Sequence, residues 1–145
     1  MPAAWAYVDT SVLVKRDIQE PGSPHARALL RRHRLLVSAL APMEMLSSLS
    51  RRRTEGDLAE RHFQAIVSRM QHDRAYWELV EVNPLVLNKA EELVARTTIR
   101  TLDAIHVASA LLFQSSSRLR IPFITADRRQ QEVAEQLAFD VVLVG

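Results

Sequence analysis

Residues Ala4-Trp5-Ala6-Tyr7-Val8 form an apolar, β-favouring run that stops abruptly at Asp9-Thr10-Ser11. A strand buried on both faces, handing small oxygen-bearing side chains to its carboxyl end, has this pattern. Leu35-Leu36-Val37-Ser38, Trp77 to Val82, Ile121-Pro122-Phe123-Ile124 and Val141 to Val144 are further strand-length runs, separated by stretches with helical spacing. Strands alternating with helices predict an α/β domain: a parallel sheet, right-handed crossovers and helices on both faces. At 145 residues this is a single domain, residues 1–145.

The helical stretches carry their own boundary signals. Ser11 to Arg16 starts a helix, Glu20-Pro21-Gly22-Ser23-Pro24 is a turn, and His25 to Arg34 is amphipathic. Pro42 opens a helix that places Glu44 in its first turn, runs to about Arg53 and is closed by Gly56. Asp57 and Glu60 have capping-box spacing ahead of Ala59, Phe63, Ile66 and Met70. After the Asn83-Pro84 break, Val86, Ala90, Leu93 and Val94 mark one helix face. Thr101 caps a helix that is apolar nearly all round (Leu102, Ile105, Val107, Ala108, Leu111, Leu112), which predicts burial against the sheet, with Ser115-Ser116-Ser117 as the loop beyond it. Asp103 sits in the first turn of that helix, and Thr125-Ala126-Asp127 leads into a helix from Arg128 to Ala138.

Composition removes several chemistries. No cysteine is present, which excludes disulfides, thiolate zinc sites and cysteine nucleophiles. The only glycines are Gly22, Gly56 and Gly145, so neither a dinucleotide-binding fingerprint nor a phosphate-cradling loop follows the first strand. A phospho-accepting receiver domain would want a lysine near the last strand, and the only lysines are Lys15 and Lys89. Met1-Pro2-Ala3-Ala4-Trp5 has no basic region followed by an apolar core, and the apolar window Val107 to Phe113 is too short for a bilayer; the expectation is a cytoplasmic protein with no membrane partner. The net charge is +2, but the arginines bunch: Arg31, Arg32 and Arg34; Arg51 to Arg53; Arg118, Arg120, Arg128 and Arg129. Guanidinium groups suit phosphate, which makes nucleic acid a reasonable partner, while solvated helix C-termini account equally well for any single group.

In an open parallel sheet ligands bind at the carboxyl ends of the strands. Asp9 follows the first strand, Glu44 sits in the helix after the second, Asp103 opens the apolar helix and Asp127 follows the fourth strand. Taken singly, Asp9 and Asp127 read as N-caps, the latter with Gln130 as capping-box partner, and Glu44 and Asp103 as favourable charges in a helix first turn. Taken together, four carboxylates in one cleft repel unless a cation or proton intervenes. Oxygen donors without Cys or clustered His select Mg²⁺ or Mn²⁺ over zinc. A divalent cation amid arginines points to phosphodiester hydrolysis through an activated water.

Val8-Asp9-Thr10-Ser11, Glu44 early in a helix, Thr101-Leu102-Asp103-Ala104-Ile105-His106-Val107-Ala108-Ser109-Ala110 and Ile124-Thr125-Ala126-Asp127-Arg128-Arg129 resemble, in order and along essentially the whole chain, the motifs of PIN-domain ribonucleases. The resemblance is greatest to VapC-like toxins of toxin–antitoxin pairs. It implies a Rossmann-like sheet of strand order 3-2-1-4-5 and metal-dependent endonucleolytic cleavage of RNA. Asp9, Asp103 and Asp127 would bind Mg²⁺ or Mn²⁺, with Glu44 joining them or orienting the water, and Thr10, Ser11 and Thr125 would be supporting hydroxyls. It further implies a homodimer and a cognate antitoxin whose tail covers the acidic site. The alternatives are an RNA-processing PIN nuclease without an antitoxin and a catalytically silent RNA- or protein-binding module. Where some relatives carry further acids after the fourth-strand motif, this chain has Arg128, Arg129, Gln130 and Gln131, leaving the fourth acidic position to Asp127 alone. His106, three residues beyond Asp103, reads as a packed or supporting residue, with general base as the alternative.

Overall fold

Five short strands, β1 (Trp5–Val8), β2 (Arg34–Ser38), β3 (Glu78–Val80), β4 (Pro122–Thr125) and β5 (Asp140–Leu143), form one sheet in the order 3-2-1-4-5. Every pairing is parallel. This computed structural model describes residues 4–145; the reading of Met1-Pro2-Ala3 as free of a targeting signal lies outside them. The helices are α1 (Thr10–Asp17), α2 (Ser23–Arg32), α3 (Ala41–Thr54), α4 (Glu60–Asp73), α5 (Pro84–Arg96), α6 (Thr101–Ser117) and α7 (Arg128–Gln136), with a 3₁₀ turn at Arg74–Tyr76. Among the described residues, no helix is long and apolar enough to cross a membrane.

The two-residue period of the strands divides the core in two. Ala6 and Val8 of β1, with Leu35, Val37 and Ile124, pack against Val12, Leu13, Leu29, Met45 and Met70 from α1 to α4. Tyr7, Leu36 and Phe123 point the other way, onto Val86, Leu93, Val107 and Val133 from α5, α6 and α7. The register Tyr7↔Leu36 and Tyr7↔Phe123 places these three side by side at the centre of the sheet. Phe123 stacks on Tyr7 with ring centroids 5.4 Å apart and planes 10° from parallel.

Several element ends differ from the sequence reading, each for a local reason. Pro24 lies in the first turn of α2, where its missing N–H costs nothing, and Arg34 opens β2 instead of closing the helix. Asp57 does not cap α4; the capping position is Ala59, with no side-chain bond. Asp57 belongs to the end of α3: Gly56 (φ 84°) donates to the Arg53 carbonyl and Asp57 N–H to the Arg52 carbonyl, a Schellman closure. Thr101 is inside α6, whose cap is Arg100 without a side-chain bond. Ser115 to Ser117 are not a loop but the last turn of α6, where the hydroxyls of Ser116 and Ser117 donate to the Phe113 carbonyl and Arg118 (φ 59°) ends the helix. Leu102 and Val94 are exposed, so α5 and α6 bury narrower faces than their composition implied.

Phe123→Ala removes a fully buried ring from the centre of the sheet and is expected to destabilise the fold by about 3–5 kcal/mol. Urea denaturation should show a lower midpoint with an unchanged slope; an unchanged midpoint would contradict this packing.

Candidate active site

Each of the four acids reaches the carboxyl edge of the sheet by a different element. Asp9 ends β1, donates its N–H to the Ile124 carbonyl at 3.1 Å and caps α1 through Ser11 N. Asp127 follows β4 and caps α7, its Oδ1 accepting from Arg129 N (2.8 Å) and Gln130 N (3.2 Å). Glu44 and Asp103 lie in the first turns of α3 and α6. All four line one cavity of about 150 Å³, together with Thr10, Ser11, His106 and Gln130. Asp9 and Asp127 therefore cap their helices and line the cavity at once. Thr125 is buried beneath the cavity, where its hydroxyl donates to Asp9 Oδ2 and accepts from Asp127 N–H at 3.0 Å.

Neighbouring donors fix the carboxylates. Asp9 Oδ1 accepts from Ser11 N at 2.7 Å and from the Ser11 hydroxyl. Thr10 Oγ1 donates to Glu44 Oε1 at 2.9 Å, and His106 Nε2 meets the same oxygen at 2.8 Å. His106 is 2 % exposed and its Nδ1 lies 2.9 Å from the Tyr7 hydroxyl, giving a chain Tyr7–His106–Glu44 from the sheet interior to the cavity wall. Gln130 Nε2 donates to Asp103 Oδ1 at 2.5 Å. Tyr7 and Gln130 are contributions that reading the sequence missed. Tyr7 looks like one more core aromatic, and Gln130 pairs across 27 residues with Asp103 in place of closing a capping box.

Burial and like charge set the electrostatics. Burial raises the Asp9 carboxyl above the usual carboxylate range, against the opposing pull of His106, Ser11 and Thr125. Burial also raises Asp103; the Gln130 hydrogen bond opposes this, and the charges of Asp127 and Asp9 reinforce it. For His106, burial disfavours the charged ring, but the Glu44 hydrogen bond and the charges of Asp9, Glu44 and Asp103 prevail and raise its pKa. Glu44 moves the complementary way: burial works to raise it, and His106 and Thr10 hold it below its ordinary value. His106 and Glu44 thus each favour the charged form of the other.

Among the described residues, no three His, Asp or Glu side chains stand close enough to hold a metal ion between them as they are placed. In kind the donors suit a hard divalent cation: four carboxylates and no sulfur share one wall. Gln130, whose side-chain amide bonds Asp103 on that wall, leaves its Oε1 buried without a hydrogen-bond partner among the described residues.

A doubly wound parallel sheet carrying these acids at its carboxyl edge defines the class of protein, and the PIN domain family model matches residues 6–136. The chain belongs to the PIN domain family. It is 32% identical over 140 residues to Ribonuclease VapC46 of Mycobacterium tuberculosis, an alignment covering 94% of this chain and 95% of that relative. FitAcB from Neisseria gonorrhoeae shares the fold with a TM-score of 0.70 at 15% identity, over 94% of this chain and 95% of that one. A toxin–antitoxin complex from Klebsiella pneumoniae superposes with a TM-score of 0.66 at 16% identity, with the same coverage of 94% and 95%.

A carboxyl whose pKa is higher folded than unfolded binds its proton more tightly when folded. Stability therefore falls as pH rises from the unfolded value through the folded one, and the cost persists above it. Asp103→Asn removes that cost. In EDTA, thermal melts should place the variant a few degrees above wild type near pH 7, the gain vanishing towards about pH 4. A difference independent of pH would contradict the raised Asp103.

Proposed function

We propose that this chain, as one PIN domain over residues 1–145, is a metal-dependent endoribonuclease acting as the toxin of a toxin–antitoxin pair. The observation that carries the reading is the convergence of Asp9, Glu44, Asp103 and Asp127 on one cavity from four separate elements. The ribonuclease relative at 32% identity supports RNA as substrate, and the toxin–antitoxin complex among the fold neighbours supports an antitoxin partner. A homodimer and a cytoplasmic location complete the proposal. Four acids gathered on one cavity, each held by a specific donor, favour catalysis over a silent binding module.

Asp9, Asp103 and Asp127, with Glu44, would hold Mg²⁺ or Mn²⁺. Such an ion, when bound, lowers the pKa of water and neutralises charge on the phosphoryl oxygens. The chain's own groups orient the acids. Ser11 and Thr125 hold the Asp9 carboxylate in one rotamer, Gln130 holds Asp103, and the N-terminal amides of α7 hold Asp127. Thr10 and His106 keep Glu44 ionised at the cavity wall, able to accept a hydrogen bond from an attacking water. His106 is buried and committed on both ring nitrogens, which makes it a positioning residue and not the general base.

Purified antitoxin-free protein should cleave structured RNAs with Mg²⁺ or Mn²⁺ and not in EDTA. Asp9→Asn and Asp103→Asn should each lose more than the roughly 10- to 100-fold that loss of a supporting partner typically costs. Mn²⁺ should raise the melting temperature of wild type and not of Asp103→Asn. Equal cleavage by wild type and both variants would remove the acids from the mechanism.

A further inference from the structure

A second cavity, of about 380 Å³, adjoins the acidic one and shares Thr10, Ser11 and Glu44 with it. Its walls are two packed helices that both begin at the acidic edge. On α1 the lining residues run Thr10, Ser11, Val14, Lys15; on α3 they run Glu44, Ser48, Arg51, Arg52. These spacings are helical, so each set is one continuous stripe, and the two stripes face each other across the groove. Both change sign along their length, from acid and hydroxyl to ammonium and guanidinium. At the far end three cations stand against one carboxylate, Glu20, which contacts Lys15 at 3.4 Å and Arg52 at 3.3 Å. Lys15 is further pinned by a 2.7 Å bond to the Pro21 carbonyl. Arg51 is exposed and makes no ion pair among the described residues.

We propose that the α1–α3 groove, through Arg51 and Arg52 with Lys15, binds a backbone phosphate of single-stranded RNA flanking the phosphate that enters the acidic cavity. This deepens the nuclease reading and rests on it. A strand whose cleavable phosphate lies among carboxylates must place its neighbouring phosphates close by, and they too are repelled unless a fixed cation receives them. Arg51 lies seven residues from Glu44, about 10 Å along the helix at about 1.5 Å per residue. A stacked strand spans that in about three nucleotides at about 3.4 Å each. Of the other bunched arginines, Arg34 stacks over Trp5, Arg120 pairs with Asp140, and Arg53 covers Phe63 and pairs with Glu60, while Arg31, Arg32, Arg118, Arg128 and Arg129 are exposed and line neither cavity. Arg51 and Arg52 are the bunched arginines that share a cavity with a site acid.

The test is fluorescence anisotropy of the full chain with a short labelled single-stranded RNA in EDTA, where binding is read without cleavage, across a salt titration. Arg51→Ala/Arg52→Ala should weaken binding about tenfold or more near 0.1 M salt and make the slope of log K against log salt shallower by about 0.7, the counterion release of one neutralised phosphate. The charge-matched Arg31→Ala/Arg32→Ala, at the exposed end of α2, should change affinity less than about twofold. Arg51→Glu, which leaves the Arg52–Glu20 pair intact, should weaken binding at least as much as the double variant, so a folding defect in the latter does not decide the matter. Equal losses in both double variants, or no loss at Arg51 and Arg52, would overturn the inference while leaving the nuclease reading standing. Wild type that neither binds nor cuts RNA would instead defeat the nuclease reading itself.

Discussion

Like charges brought out of water at the edge of a parallel sheet repel, and the organisation of this molecule follows from how that repulsion is balanced. Asp9, with 2 % of its surface exposed, is surrounded by hydroxyl and amide donors from its own helix and from β4. Glu44 has a buried imidazole beside it, raised towards its charged form by the acids it serves. Asp127 borrows the N-terminal amides of α7, and Asp103 takes the Gln130 side chain from that same helix. No acid depends on another for support. Each is stabilised from behind, so the charges remain directed at the shared cavity.

That arrangement rests on the alternation of the central strand. Ala6 and Val8 face α1 to α4, and Tyr7 faces α5 to α7, so β1 is apolar on both sides and can sit in the middle of the sheet. The same alternation lets Tyr7 serve two purposes. Its ring stacks on Phe123 within the core while its hydroxyl holds His106, with burial keeping the phenol protonated. A residue of the scaffold thereby sets the orientation of a residue at the site, through one intermediate and with no water between.

Much of this was legible in the amino-acid order. The strand runs, the three- and four-residue helix periods and the four acids stand in the chain where the elements stand in space, and helix alternation alone implied a parallel sheet. What escaped the reading was either local competition or long-range pairing. Asp57 carries a good capping signature, but the Schellman turn at Gly56 had already enlisted its amide for the preceding helix. Three successive serines look like a loop, yet serine hydroxyls can bond back to a carbonyl of the preceding helical turn, and here two of them do, both to Phe113. The partnerships of Gln130 with Asp103 and of Tyr7 with His106 span 27 and 99 residues. No periodicity announces such contacts, because they exist only once α6 and α7 pack on the sheet.

Thr125 joins the two halves of the site through a single oxygen, donating to the acid at the end of β1 and accepting from the backbone of the acid at the end of β4. The pairing Val8↔Ile124 sets that oxygen in place. An atom shared in this way converts the alignment of two neighbouring strands into a fixed separation between two charges. A slide of one strand along the other would therefore change the distance between those two carboxylates and, with it, the electric field in the cavity they share.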